Sequence, residues 1–557
     1  MAWTLKSRGL TISLAGIAGA TAIAGTAYAQ LRDVTQNPDI AGVPGHPGDS
    51  AGIGLSYVQE QGSSPNDHGN VNLLGSSRFI ISRDPARAVR RGRQIFQRKF
   101  LVQQGQAPGE DDGIGSTGAV PIQSAGLSDA CAGCHGRPRG SAGFGGDVAT
   151  RPDSRDAPHL FGLGLAEQLA DEITTDLRAI RTAAIQQAQS SRVNVTRNLT
   201  SKGISYGSLT ASPNGTVNTS GVRGVNPDLR VRPFFAQGGT ISIREFLVGA
   251  FNAEMGLESP DIDLIAAQTG PVTTPAGMVL DGTRDFIEAP PVSSPAEDHD
   301  GDGVANEAPV SIVDFMEFYL LNYFKPAQGR QTAEGSLGRT LFTTIGCASC
   351  HIPNLTVNRD RRIADVETVY NQGQGNPFNN LFATATLLAV GDPAVPAGDG
   401  APAGVRPARG SFVVRNFFAD MKRHDLGPNF HERNFPNFVA APGAPLSGPF
   451  SFTTQFITEP LWGVGDTPPY GHDGRSGNLD DVIRRHGGEA QNARNLFVAL
   501  PGINQGWILT FLRSLVLFGP DDTASNLRPA VPATAGYPQI GHGSIALSAL
   551  FTTPGAE

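Results

Sequence analysis

All four cysteines of the chain fall in two strings of one form, Cys131-Ala132-Gly133-Cys134-His135 and Cys347-Ala348-Ser349-Cys350-His351. On a helix, residues three apart sit one turn apart on the same face, so the two thiols of each string can reach the two vinyl groups along one porphyrin edge. The histidine that follows then points under the iron as its proximal ligand. A structural disulfide, a redox-active dithiol or a zinc site would not require a histidine directly after each pair, in two copies. The residues therefore predict two covalently bound haem c groups, one on Cys131, Cys134 and His135 and one on Cys347, Cys350 and His351.

Each iron has a sixth position, and its occupant separates electron carriage from chemistry: a methionine or histidine closes the site, whereas an open site binds oxygen or peroxide. Met255, Met278, Met316, Met421 and the nine histidines outside the two strings are the candidates, and sequence alone does not rank them. A further cluster of chemistry-bearing residues is Asp298, Asp300 and Asp302, alternating ahead of Gly303 and followed by Asn306 and Glu307. D-x-D-x-D-G gathers hard oxygen ligands, so Asp298, Asp300, Asp302 and Asn306 are expected to bind Ca²⁺, with a solvated acidic turn as the alternative. Pro309 stands where the usual twelfth-position glutamate of such a loop would be. No G-x-S-x-G elbow, P-loop, H-E-x-x-H or dinucleotide fingerprint occurs, which leaves haem as the expected catalyst.

The elements that must position these groups follow from patterning. Lys6 and Arg8 precede an apolar stretch from Leu10 to about Ala24 that ends in Ala27-Tyr28-Ala29, the pattern of a cleaved signal peptide over residues 1–29, with an uncleaved anchor as the alternative. The mature protein is expected to be soluble and periplasmic or secreted, with no later segment apolar enough to span a bilayer. About 530 residues then remain, enough for two or three domains. A formal charge of −8 without a basic run gives no support to nucleic-acid binding.

Residues 30–83 read as an irregular arm rich in Gly, Asn, Pro and Ser. Asp84-Pro85 has the form of an N-cap and first-turn proline opening a helix. A long helix is expected from Leu165 to about Gln189, short strands between Val193 and Val225, and a helix opened by a capping box at Ser242 and Glu245. An apolar helix starts at Ser311, residues 371–410 look loop-like, and helix returns over 478–517 with Asn478 as a cap and Gly487-Gly488 as a stop. Gly92-Arg93-Gln94-Ile95-Phe96 ahead of the first string is echoed by Gly338-Arg339-Thr340-Leu341-Phe342 ahead of the second. His159-Leu160-Phe161-Gly162-Leu163-Gly164 after the first is likewise echoed by Pro460-Leu461-Trp462-Gly463-Val464-Gly465 after the second. These echoes point to a duplicated module. The expected fold is mainly α: two cytochrome-c-like haem domains, over 84–295 and over 296–519 together with the calcium-like loop, joined by long loops with a few short strands and trailed by a surface tail over 520–557.

Over roughly residues 84–517 the chain resembles the bacterial di-haem cytochrome c peroxidase superfamily. Beyond the two haem strings, the similarity rests on Pro469-Tyr470-Gly471-His472-Asp473-Gly474-Arg475, Leu479-Asp480-Asp481-Val482-Ile483 and His486-Gly487-Gly488-Glu489-Ala490. It implies that His486 is the distal ligand of the second haem, making that iron six-coordinate between His351 and His486. Phe234-Phe235-Ala236-Gln237-Gly238-Gly239 and Phe251-Asn252-Ala253-Glu254-Met255-Gly256 resemble the segment over the distal face of the first haem, with Glu254 at the place of a catalytic glutamate if two residues are deleted upstream. Ala236 replaces the tryptophan found between the haems of peroxidase relatives, and Arg151 lies near the place of their reversible histidine ligand. Trp462 is either a substitute electron relay or a core indole.

A closer similarity is to the haem-c rubber oxygenase group, through Arg155-Asp156-Ala157-Pro158-His159-Leu160-Phe161-Gly162-Leu163-Gly164-Leu165 and the Phe234-Phe235 to Phe251 segment. It implies that Phe235 and Phe251 line an apolar oxygen site on the first haem. The expectation is an oxygenase that cleaves a hydrophobic, polyisoprenoid-type substrate with O₂. The alternatives are a peroxidase that uses H₂O₂ with a small redox-protein donor and a two-haem electron carrier.

Overall fold

A computed structural model describes residues 68–69, 76–83, 85–98, 100, 130–135, 156–299, 301, 303–323, 331–362, 364–370, 381–387, 389–390, 404–405, 411–433, 452–465, 467–517 and 544–545. The signal peptide, most of the arm, Asp84, Arg151, Asp300 and Asp302 lie outside these residues. The helices are α1 (Ser77–Arg83), α2 (Pro85–Gln97), α3 (Cys131–His135), α4 (Leu163–Ser191), α5 (Ile243–Met255), α6 (Ile262–Ala267), α7 (Val310–Asn322), α8 (Ala333–Thr344), α9 (Leu479–Arg485), α10 (Gln491–Ala499) and α11 (Gly502–Arg513). Small sheets, nearly all antiparallel, complete a mainly helical architecture.

Two helix pairs repeat one packing scheme. α2 crosses α7 at Gly92, where a Cβ would overlap the Phe315 carbonyl, and α8 crosses α11 at Gly338, where it would overlap the Trp507 carbonyl. Each cysteine string follows the glycine-bearing helix of its pair. The second echo is structural as well. Gly162 and Gly463 both take left-handed backbone, with φ of 74° and 69°, a conformation that favours glycine. Two residues on, Gly164 sits on the carbonyl of Leu321 near the end of α7, and Gly465 on that of Arg513 at the end of α11.

α7 is buried along its whole length, and its apolar residues join those of α1, α2 and α5 in one core. It packs chiefly on α2, and also on α5. A helix apolar on every side must be buried, but its sequence does not say against what. Its polar side chains close on a buried charge cluster. Arg244 of α5, fully buried, donates to Asp261 (2.9 and 2.7 Å), Asp314 (3.0 Å) and Glu317 (2.9 Å). His68 from the arm joins Asp263 (2.9 Å) to Asp314 (2.7 Å), and Ser77 of α1 also donates to Asp314. Burial works against charge on His68, but Asp314 and Asp263 hold it up to about 10. Burial likewise pushes Glu317 up to about 7, with Arg244 opposing.

α4 runs 29 residues from left-handed Gly162 to left-handed Arg192. It packs on an antiparallel hairpin, β1 (Val195–Ser201) and β2 (Ile204–Ala211), extended by β3 (Val217–Asn218). Leu355, Val357, Val414, Phe417 and Trp462 enter the same core, which thereby joins the two halves. The Ser242 cap forms as expected: its Oγ accepts the Glu245 N–H at 3.1 Å and donates to the Glu245 carboxylate at 2.7 Å. Asn478 caps α9 by accepting from the Asp481 N–H at 3.0 Å, and Gly487-Gly488 follow its end.

Three regions depart from expectation, the first being α1, a helix within the stretch 30–83 that reads as an irregular arm. Within the loop-like stretch 371–410, Leu381–Leu387 pairs antiparallel with Ala364–Tyr370. From the tail, Ser544–Ile545 adds to the same sheet in parallel. Glycine- and proline-rich flanks mask this strand, whose β-branched and aromatic residues (Phe382, Thr384, Thr386) suit a pleated surface.

Candidate functional site

The second cysteine string leaves α8 through Gly346, at φ 94°, and enters a one-turn 3₁₀ helix, Cys347–Ser349. Burial pushes the Cys347 thiol up to about 12. The adjoining segment docks on residues 417–419: Phe417 N–H donates to the Pro353 carbonyl at 2.8 Å and Ala419 N–H to that of Ile352 at 3.2 Å. This brings the Phe418 carbonyl to 2.9 Å from Nδ1 of His351. A carbonyl only accepts, so Nδ1 carries the proton and Nε2 keeps its lone pair. Burial, with the neighbouring His486 adding, lowers His351 to about 4 and keeps the ring neutral.

His486 stands at the C-terminus of α9 and is oriented in the same way, its Nδ1 2.7 Å from the Val482 carbonyl. Burial holds it below the usual histidine range. The Phe430 ring meets it edge-on at 5.3 Å. Beside it, Arg485 makes two bonds to Asp473 (3.1 and 2.7 Å) and one each to Ser476 (3.0 Å) and the Asn429 carbonyl (3.1 Å), which clamps the end of α9. A cation at a helix C-terminus is favourable in itself, but a neutral imidazole gains little there. His424 is built differently: its Nε2 lies 2.9 Å from Asp420 and its Nδ1 2.8 Å from Glu489. Burial opposes its charge, yet Asp420 and the contacts around Cys350 hold it up to about 10. Both ring nitrogens of His424 are thus engaged by carboxylates, which makes it a charged partner within a Cys350, Asp420 and His424 group rather than a free ligand.

The first string forms α3, a single helical turn packed on α2. Cys131 Sγ lies 3.7 Å from Met255 Sδ at the end of α5, and burial pushes this thiol up to about 12. His135 Nδ1 is 2.7 Å from the Pro158 carbonyl, an arrangement that orients Nε2 as the ligand nitrogen. α5 therefore delivers its last turn, with half-buried Glu254 beside Met255, to the first cysteine. Phe235 takes a left-handed φ of 61° and packs against Phe246 at 5.4 Å, on the margin of the core that Cys131 also borders. Phe251 is a core ring, T-shaped to Phe100 at 5.9 Å, and the Arg98 guanidinium lies 3.6 Å from the Phe100 ring centre. Of the methionine candidates, Met278 and Met316 are interior residues of that core. Met421 lines a small cavity of about 50 Å³ with Glu459, whose carboxyl burial pushes up to about 7.

In the acidic loop, Asp298 accepts from the N–H groups of Gly301 (2.8 Å) and Gly303 (3.0 Å). Glu307 accepts from Glu258 N–H (2.6 Å), and Glu258 from His299 N–H (3.0 Å). Asn306, at φ 59°, has its Oδ1 buried with no hydrogen-bond partner.

The sequence offers His424 only as one of nine candidate sixth-ligand histidines and assigns no part to Asp420 or the Arg485 clamp. Asp473 lay within a quoted string, but nothing local marks the other three.

The imidazoles of His135, His351 and His486 each place Nδ1 against a backbone carbonyl, and two of them directly follow paired thiols, a donor set that fits two haem irons. Residues 417–515 match the family model described as "Di-haem oxidoreductase, putative peroxidase". That segment contains the Phe418 carbonyl, His424, the Asp473–Arg485 clamp and His486. No curated protein matches the chain.

Proposed function

We propose that the chain is an exported di-haem c-type oxidoreductase, in which the site at His135 activates O₂ toward a hydrophobic, polyisoprenoid-type substrate and the site at His351 and His486 passes electrons. The observation that supports this reading is the contrast between the two sites. A second imidazole, that of His486, acts on His351, whereas Cys131 of the first string packs on the apolar core to which Phe234, Phe235 and Phe246 also belong. Haem c, when bound, supplies an iron that exchanges electrons and takes oxygen or peroxide where its sixth position is open.

The chain's own residues do the rest. Cys131 with Cys134 and Cys347 with Cys350 would anchor the two groups, and the carbonyls of Pro158, Phe418 and Val482 fix the tautomer and direction of each ligand ring. The apolar core on which Cys131 packs would favour a hydrophobic substrate at the first site. Asp298, Asp300, Asp302 and Asn306 would hold Ca²⁺, a role supported by the buried Asn306 Oδ1.

The description of the matching family favours a second reading, a peroxidase fed by a small redox protein. In it Glu254, one residue from the methionine that touches Cys131, serves as the acid or base at peroxide. Incubating the holoprotein with polyisoprene and O₂, and separately with H₂O₂ and a reduced cytochrome, decides between the two. Chain-cleavage products from the first mixture alone are the expected result; turnover only in the second, abolished in Glu254→Gln, would replace the oxygenase reading with the peroxidase one.

A further inference from the structure

We propose that the main chain carries an electron bridge between the two haem sites, running from His135 through the His159 ring to the carbonyl of Trp462 and on to His351; this rests on the two-haem reading above. The Pro158 carbonyl accepts from His135 Nδ1 at 2.7 Å, and the next residue is His159. His159 Nε2 in turn donates to the Trp462 carbonyl, 303 residues away, at 2.6 Å. Trp462 is bonded to Leu461, whose N–H donates to the Phe417 carbonyl at 3.3 Å. Phe417 is bonded to Phe418, whose carbonyl accepts from His351 Nδ1 at 2.9 Å. Every step between the two proximal imidazoles is therefore a covalent bond or a hydrogen bond.

The bridge is held rigidly. His159 Nδ1 accepts the Phe161 N–H at 3.2 Å, and the ring lies edge-on to Phe161 at 5.7 Å. With both nitrogens engaged, His159 has no lone pair for iron, which distinguishes it from the three ligand-type histidines. The Trp462 ring packs against left-handed Gly162 and lies edge-on to Phe417 at 5.0 Å. Its indole Nε1 is buried without a hydrogen-bond partner. An oxidised indole would have no acceptor for its proton, so the backbone carbonyl rather than the ring is the conducting part of Trp462.

The step balances simply. One electron leaves the ferrous iron at His351, which becomes ferric, and arrives at the ferric iron at His135, which becomes ferrous. No bond breaks and no proton moves, because each imidazole N–H keeps its carbonyl.

The test uses the full holoprotein. A haem assay on wild type comes first: fewer than two haems per chain would overturn the two-haem reading itself, before the bridge is involved. Pulse radiolysis then delivers one electron, and the absorbance of each haem follows its redistribution. His159→Phe, which removes the donor, should slow interhaem transfer while both haem spectra stay unchanged. His159→Gln, which restores a donor at the same place, should recover most of the rate, and Trp462→Phe, which keeps the carbonyl, should stay near wild type. If His159→Phe fails to load both haems, His159→Met removes the same donor with a more pliable side chain. A wild-type rate in the donor-less variant would overturn the bridge, and so would a Trp462→Phe rate as low as that variant's.

Discussion

Replacing His68 by asparagine should weaken the fold strongly in neutral solution and flatten its alkaline pH dependence. His68 is held up to about 10, against 6.5 for an unperturbed imidazole. Each pH unit between those values is worth about 1.4 kcal/mol, so the protonated ring contributes roughly 5 kcal/mol at most. Because the folded value is the raised one, this stabilisation is complete below the unfolded value and disappears as pH climbs through the folded one. Linkage then predicts that wild type loses about 3 kcal/mol more than the variant between about pH 6 and about pH 9. At the acid end the variant loses stability directly, since Asp263 and Asp314 then share only Arg244 as a cation, a loss of up to roughly 3–5 kcal/mol for a broken buried pair. Urea unfolding followed by tryptophan fluorescence at several pH values measures both quantities. Parallel pH profiles for wild type and variant would show that the His68 charge does not fasten the arm to α6 and α7.

Two further outcomes follow from the packing and the site. His486→Ala should turn the haem at His351 high-spin while both haems remain covalently attached, read by EPR and by the haem stain of a denaturing gel; an unchanged low-spin spectrum would remove His486 from the iron. Gly338→Ala and Gly92→Ala should each lower stability by about 1–3 kcal/mol through overpacking against a neighbouring carbonyl, despite the helix-propensity gain of about 1 kcal/mol that alanine brings at an exposed helical site. A stabilised Gly338→Ala protein in a thermal melt would mean that the α8 and α11 backbones do not approach as described.

Local chemistry was the legible part of this molecule. The paired thiols and following histidines stand out because their spacing is what haem c attachment would require, and Ser242 and Asn478 because a cap acts within three residues. The Gly92 and Gly338 echo pointed to duplication, and the structure supplies its reason: each glycine is the point where a helix backbone meets its partner's. What sequence left open depends on contacts between distant residues. Phe251 at helical spacing suits a pocket wall or a core ring equally, and it packs in the core against Phe100. The all-apolar face of α7 gave no sign that it belongs with α2 rather than α8. His159 stood in a recognised string, yet its bond to the Trp462 carbonyl joins residues at opposite ends of the chain's middle, where no periodicity reaches.

The two sites are expected to differ, one closed by His486 and one open at the His135 iron. Absorption and EPR spectra of the purified holoprotein, as isolated and reduced, with and without CO, test it most directly. One low-spin haem indifferent to CO and one high-spin or oxygen-bound haem that takes it up are the expected result. Two low-spin haems that ignore CO in both redox states would contradict it and make the protein an electron carrier.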